Sequence, residues 1–362
     1  MPTVKYTDIV DLENENTLRQ LEMKLPLFVD QYFRHLKYRN TSSNTRVEYA
    51  RDLIRFFQFI KNLDQFQDID LFHSTDTFLL DRLTREDFDS YKDSLEYHAD
   101  NENGRRLNNL KSSPETRARK LSSLRSFFHY LHSENLISHN YAEILETPKI
   151  PQHNIIVLEA DEIDRLFAAI RDTSGMDNNA LQKHNKVELR DLAIIILFLG
   201  TGIRVSELVG IDLRDIDFNM ARIYIRRKGG NYDEVYFGSD VERVLRDYID
   251  NCRPLLFSEQ DPSPALFLSM KHSRMTPRAI QIMIKNYANK AGISDAKALS
   301  PHKFRKTAGT HVYMQSGGDL LLTANFLGHK NIETTRKHYT KLNEQYKRKA
   351  SQFTEELVKP QK

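Results

Sequence analysis

The sequence predicts a mainly α-helical protein of two domains, an all-helical one followed by an α+β one with a small antiparallel sheet. At 362 residues the chain is longer than one hydrophobic core usually spans. Residues 147–152, TPKIPQ, place two prolines three apart, which disfavours regular structure and marks a seam. Helical periodicity recurs on both sides of that seam, whereas the clear strand signal lies only beyond it. With 40% apolar residues, 20 Phe and 16 Tyr, the chain can build packed cores and is too aromatic for a mostly disordered polymer.

The expected order begins with an N-terminal extension, 1–24, and a helical domain, 25–147. A linker, 148–152, leads to a mixed domain, 153–345, and a C-terminal helix or tail, 346–362. In TSSNTRVEYARDLIRFFQFI, residues 41–44 supply N-cap candidates, and Val47, Leu53, Ile54, Phe57 and Ile60 recur at helical spacing. A second helix opens at Ser113-Pro114-Glu115, a cap followed by proline at the first helical position. Its Leu121, Leu124, Phe127, Phe128 and Leu131 form one face, while Arg117, Arg119, Lys120 and Arg125 are basic with little acid between them. That pattern suits a helix with its back in a core and its front on phosphates; the plain alternative is a solvated charged face.

Past the seam a helix begins near Glu159 or Asp161, and DLAIIILFLGTG reads as a buried helix ended by glycine. RIYIRR, KGGN and EVYF then form a β-hairpin with Lys228 at the entry to its turn. After Pro277 the rest reads as helices with short Gly, Pro or Ser breaks.

Charge is segregated. Residues 271–349 carry 16 Lys and Arg against four acids, while residues 61–102 carry 12 acids against four bases. A basic surface for a polyanion, with an acidic segment turned away from it, fits this distribution. The single cysteine, Cys252, cannot form an internal disulfide, and no CxxC or zinc spacing exists, which favours a reducing compartment. The N-terminus lacks a signal-peptide pattern, and the longest strongly apolar run, residues 192–200, is about half of a bilayer span. A soluble cytoplasmic protein is expected.

No phosphate-binding glycine loop, HExxH, GxSxG or paired acidic metal motif is present. Instead GTGIRVSEL places Arg204 after a glycine helix end. LSPHKFRKTAGTHV holds His302 and Arg305 on one turn, and NFLGHKNIETTRKHYT holds His329 and, ten residues on, Tyr339. Arg204, Lys228, His302, Arg305, His329 and Tyr339 thus surround one phenol with positive charge and no metal ligand set. This is a phosphodiester site without a metal. Guanidinium forks neutralise phosphate oxygens, the tyrosine attacks phosphorus, and a lysine or histidine protonates the departing 5′ oxygen. Arg226, Arg227 and Lys271 compete with Lys228 for the acid role. Each residue also has a plain reading: Arg204 as a cap on helix carbonyls, the histidines as structural, Tyr339 as core. His311 and His338 are left as packing or surface.

These motifs resemble those of the tyrosine recombinases, similar to the Xer recombinases and to the integrases of phages and conjugative transposons. The resemblance spans about residues 25–349. It implies an N-terminal SAM-like core-binding domain and a recombinase catalytic domain with Arg204, Lys228, His302, Arg305, His329 and the nucleophile Tyr339, Glu207 supporting. It also implies that Thr45, Arg46, Arg117, Arg119, Lys120 and Arg125 meet DNA, and that four protomers, monomers or dimers when free, act on a specific duplex without cofactor, ATP or metal. An accessory DNA-bending or directionality protein is a further expected partner, and a C-terminal helix docking on a neighbouring protomer is a further expected contact. Two departures stand out: Lys306 replaces a histidine common in Xer proteins, and the His329–Tyr339 interval is one residue longer, as in conjugative transposon integrases. Tyr346 is the fallback nucleophile. The departures favour a mobile-element enzyme over chromosome dimer resolution; a type IB topoisomerase and a non-catalytic DNA-binding regulator are the other readings.

Overall fold

The computed structural model describes residues 5–96, 112–149, 157–227, 232–293, 299–329 and 331–339. Contacts divide the chain into two compact units, Met1–His153 and Asn154–Lys362. The second half of the expected linker, 150–152, lies outside the described residues.

The first unit contains α1 (Tyr6–Glu22), α2 (Val29–Tyr38), α3 (Ser43–Ile60), α4 (Arg85–Ser94) and α5 (Pro114–Ser133). Each cap follows from local chemistry. Ser42 accepts from the Thr45 N–H and starts α3; Thr84 and Asp87 cap α4 reciprocally; Ser113 caps α5 with Pro114 at its first turn. The core is aromatic. Phe56 and Phe57 of α3 meet Phe127 and Phe128 of α5 edge to face, with Phe57–Phe127 centroids 5.9 Å and Phe56–Phe128 5.7 Å apart. Helix α4 explains how the acidic segment folds: Phe88 and Tyr91, one turn apart, enter this core while the carboxylates stay outside. The residues expected as an N-terminal extension form α1, which buries Leu18 and binds α3 through Asn14–Ser43 and Ser43–Asp11 hydrogen bonds of 3.0 and 2.6 Å.

The second unit contains α6 (Ala160–Arg171), α7 (Asn178–Asn185), α8 (Glu188–Thr201) and α9 (Val205–Gly210), then β1 (Ile216–Asp217), β2 (Arg222–Arg226) and β3 (Tyr232–Tyr236). There follow α10 (Ser239–Asp247), α11 (Arg253–Leu256), α12 (Pro277–Lys290), α13 (Pro301–Gln315), α14 (Leu320–Leu327) and α15 (Ile332–Tyr339). Helix α8 is buried nearly all round, as its run of Leu, Ile and Phe requires, and α13 packs on it with Phe198 and Phe304 stacked at 6.1 Å. The sheet is antiparallel in the order β1-β2-β3, with Ile223 opposite Val235 on the buried face. Strand β3 starts two residues before the expected EVYF, and β1 is too short to leave a periodic signal. Among the described residues no helix is long and apolar enough to cross a membrane.

Candidate active site

Two helix ends found the site. Helices α8 and α14 both stop in a left-handed glycine, Gly202 and Gly328, each with φ 60°. Their last carbonyls have no partner within the helix and need one from elsewhere. Arg305 of α13, 3% exposed, supplies it: Nη1 donates to the Gly202 carbonyl at 2.5 Å and Nη2 to the Leu327 carbonyl. A buried cation between two negative helix ends is favourably placed. Burial, then the charge of Arg204, lower Arg305 to about 10, which leaves it cationic at neutral pH.

Arg204 opens α9, directly after the Gly202 turn. Its backbone N–H donates to Glu207 Oε2 at 2.7 Å and its Nη1 to Oε1 at 2.8 Å. Glu207 is 4% exposed, while the Arg204 side chain is 37% exposed. One edge of the guanidinium is therefore held and another faces solvent. Arg227, at the end of β2, approaches the same carboxylate, with Nη1 3.3 Å from Oε2, and donates from Nε to Asp233 at 2.8 Å. Sequence reasoning named Arg227 only as a rival acid; the partner that defines it, Glu207, lies 20 residues away on another element.

Tyr339 ends α15 and is 3% exposed. Its ring stacks on Tyr313 at 5.1 Å and packs on Leu327. Its hydroxyl sits in a notch at Gly309 that any Cβ would fill. Gly309 follows Arg305 by four residues, so both lie on one face of α13. Burial raises the Tyr339 phenol above its ordinary value, opposed by Thr310 and by the Arg305 charge, so it is protonated at neutral pH. The core-packing reading describes the ring, and its hydroxyl stands one turn from Arg305.

His329 follows the α14 end, with Nδ1 2.8 Å from the Thr335 hydroxyl. His302 is exposed on the first turn of α13, one turn before Arg305. Lys228 and Tyr346 lie outside the described residues, as does the C-terminal segment 346–362. Thus Arg204, Glu207, Arg227 and Arg305 are joined through Glu207 and the Leu327 carbonyl, and Tyr339 packs beside them. Among the described residues no three His, Cys, Asp or Glu side chains gather as a metal site.

Residues 157–346 match the phage integrase family, and residues 29–135 match the phage integrase N-terminal SAM-like domain. The tyrosine recombinase XerC of Caldanaerobacter subterraneus subsp. tengcongensis is 31% identical over 325 residues, 87% of this chain and 83% of that protein. The chain belongs to the phage integrase family. It is a tyrosine recombinase, a site-specific enzyme that breaks and rejoins DNA strands. XerD of Oceanobacillus iheyensis is 28% identical over 86% of the chain and 94% of its own length. The Tn1549 transposon integrase in complex with circular intermediate DNA shares the fold at 19% identity and a TM-score of 0.59, covering 87% of this chain and 95% of that one. A XerH post-cleavage complex shares it at 21% identity and 0.59, covering 86% and 81%.

In the first unit of the recombinase the basic residues expected on DNA have partners within the fold. Arg46 is buried at 6% exposure and clamped by Glu15 of α1, so it ties α1 to α3. Arg119 is bidentate to Asp52, at 2.6 and 3.0 Å, and Lys120 lies 4.0 Å from the same carboxylate. Asp52 is 2% exposed, on α3, 67 residues before Arg119. Arg117 pairs with Glu96 at 2.8 Å, and Arg125 donates to the Leu145 carbonyl and to Thr147. Thr45 remains half-buried in the first turn of α3. The basic stripe of α5 was visible in sequence; its acidic partners on α3 and beyond α4 were not.

Proposed function

We propose that this recombinase is the integration, excision or transposition enzyme of a mobile element. Tyr339 attacks the scissile phosphate, giving a 3′-phosphotyrosyl link and a free 5′-hydroxyl, and a partner strand's 5′-hydroxyl reverses the step through a Holliday junction. Arg204 and Arg305 neutralise the non-bridging oxygens, Lys228 protonates the leaving 5′ oxygen, and His302 and His329 orient the phosphate and carry protons. Double-stranded DNA at a specific site is the partner, bound by a tetramer. The linkage of Arg204 and Arg305 through Glu207, Arg227 and the Leu327 carbonyl, with the Tyr339 hydroxyl packed on α13 one turn from Arg305, supports this chemistry most. The phenol must leave the Gly309 notch to attack, because its hydroxyl there is closed off by α13.

Thr45 and the solvent-facing edge of Arg119, whose side chain is 41% exposed, are the phosphate contacts proposed in the first unit. A cytoplasmic, nucleoid-associated location goes with this activity. Chromosome dimer resolution is the second reading, favoured by the near full-length match to XerC and XerD. Mapping the covalent junction in host DNA separates the two: junctions at one chromosomal locus favour resolution, junctions at element ends favour transposition. The chemistry is tested with a nicked suicide duplex bearing the mapped junction. The wild type should trap a covalent adduct in excess EDTA, and Tyr339→Phe should trap none. An adduct that survives Tyr339→Phe removes Tyr339 from the nucleophile role, and a strict requirement for a divalent ion removes the metal-free site.

A further inference from the structure

Glu207 carries a second guanidinium that the pairing with Arg204 does not require. Arg227 is 8% exposed and touches three elements at once. Its Nη1 lies 3.4 and 3.3 Å from the two Glu207 oxygens on α9 and 3.5 Å from the Leu327 carbonyl at the end of α14, while Nε donates to Asp233 on β3 at 2.8 Å. Gly328 closes over the guanidinium so tightly that any side chain there would overlap it. The Leu327 carbonyl also receives Arg305, so Arg227 and Arg305 share one acceptor while Arg204 and Arg227 share one carboxylate.

We propose that Arg227 is a positioning residue for strand transfer, fixing Glu207 and, through it, the solvent-facing guanidinium of Arg204. The inference rests on the reading of Arg204 as the ligand of a non-bridging phosphate oxygen. Arg204 reaches both Glu207 oxygens from α9 itself, three residues away, so that pair can shift as a unit; Arg227 adds a contact to each oxygen from a residue anchored to β3 and to the end of α14, which fixes the pair against the rest of the fold. Arg227 also keeps the buried Glu207 charge compensated when a phosphate draws on Arg204, so Arg204 is not pulled back from the phosphate onto its own carboxylate. The Asp233 contact holds the Arg227 fork in the plane this requires.

The test compares two nicked suicide duplexes carrying the mapped junction, one with the native scissile phosphate and one with a methylphosphonate there. Replacing a non-bridging oxygen by methyl makes the linkage neutral and relieves the need for an opposing guanidinium. Covalent adduct formation is followed in a single turnover. Arg227→Ala should slow it roughly 100-fold on phosphate and less than about 5-fold on methylphosphonate, with DNA affinity within about 3-fold of wild type. Arg227→Lys, which keeps the charge without the fork, should fall between wild type and alanine on phosphate. Arg204→Ala is the reference and should show the same substrate preference. Equal slowing of Arg227→Ala on both substrates, or no slowing on phosphate, overturns the proposal. If Arg204→Ala shows no preference either, the reading of Arg204 falls and the proposal falls with it. Should thermal melting show that Arg227→Ala does not fold, Asp233→Ala replaces it, removing the acceptor of Nε, with a loss of roughly 5-fold confined to the phosphate substrate; equal loss on both substrates, or no loss on phosphate, overturns the proposal.

Discussion

In the first unit, each of the four arginines expected on DNA meets an acid or a carbonyl of that unit, whereas in the second unit three guanidiniums converge on one buried carboxylate and two helix ends. Arg46, Arg117 and Arg119 are each matched by a carboxylate, so the charge a sequence count assigns to that surface is largely spent inside the fold. Arg204 and Arg227 share Glu207, Arg227 and Arg305 share the Leu327 carbonyl, and among the described residues the half-exposed Asp233 is the other acid paired with this group. The same residue type therefore serves as structural tie in one unit and as uncompensated positive field in the other. What separates them is the number of nearby carboxylates, a property of tertiary packing.

The comparison is broken or sharpened most strongly at Arg305. Arg305→Ala strands the Gly202 and Leu327 carbonyls and removes a charge beside Tyr339. It should cut adduct formation by roughly 1,000-fold and lower the stability of the unit by about 3 kcal/mol, read from single-turnover gels and denaturant melts. A variant with normal cleavage would end the view of Arg305 as the electrostatic centre. Next comes Asp52→Ala, which removes both Arg119 hydrogen bonds to that carboxylate and leaves Arg119 its longer pairing with Glu48; it should destabilise the protein by about 2 kcal/mol, a modest loss because Arg119 is partly solvated and screened. No change in the urea midpoint would mean that the pair holds nothing together.

A smaller effect distinguishes two arginines of the first unit. Arg119→Ala should reduce the slope of log affinity against log salt by about 1, whereas Arg46→Ala should leave the slope unchanged and only lower stability. A drop of about 1 for Arg46→Ala as well would put Arg46 on DNA, and no drop for Arg119→Ala would take Arg119 off it. The smallest expected effect comes from the acidic segment. Replacing Asp64, Asp68 and Asp70 by asparagine should leave DNA affinity within about 2-fold, because Phe66 and Leu71, not the carboxylates, dock that stretch on the core. A large gain in affinity would show that the acids face the duplex.

Much of this was legible in the chain, because it depends on residues close together in it. Ser113 before Pro114, the glycine end of α8, the two-residue alternation of β2 and the three-residue step from His302 to Arg305 each fix a local geometry with its chemistry attached. The motif order around Arg204, Arg305 and Tyr339 was sufficient to place the family. Helix α1 carries a weak sequence signal because YTDIVDLENENTLRQLE fully buries one leucine, Leu18, packs Leu21 partly against the core and adds polar contacts to α3.

Tertiary structure alone decided what each charge does. Arg305 finds its carbonyl on Gly202, 103 residues away, Arg119 its acid 67 residues away, and Arg227 its carboxylate 20 residues away on another element. Periodicity tells which face of a helix is buried, but it carries no information on which group stands opposite. Coulomb energy and desolvation depend on that opposing group, and so the chain specified the chemistry of the site while the fold selected which of its many arginines are left with charge to use.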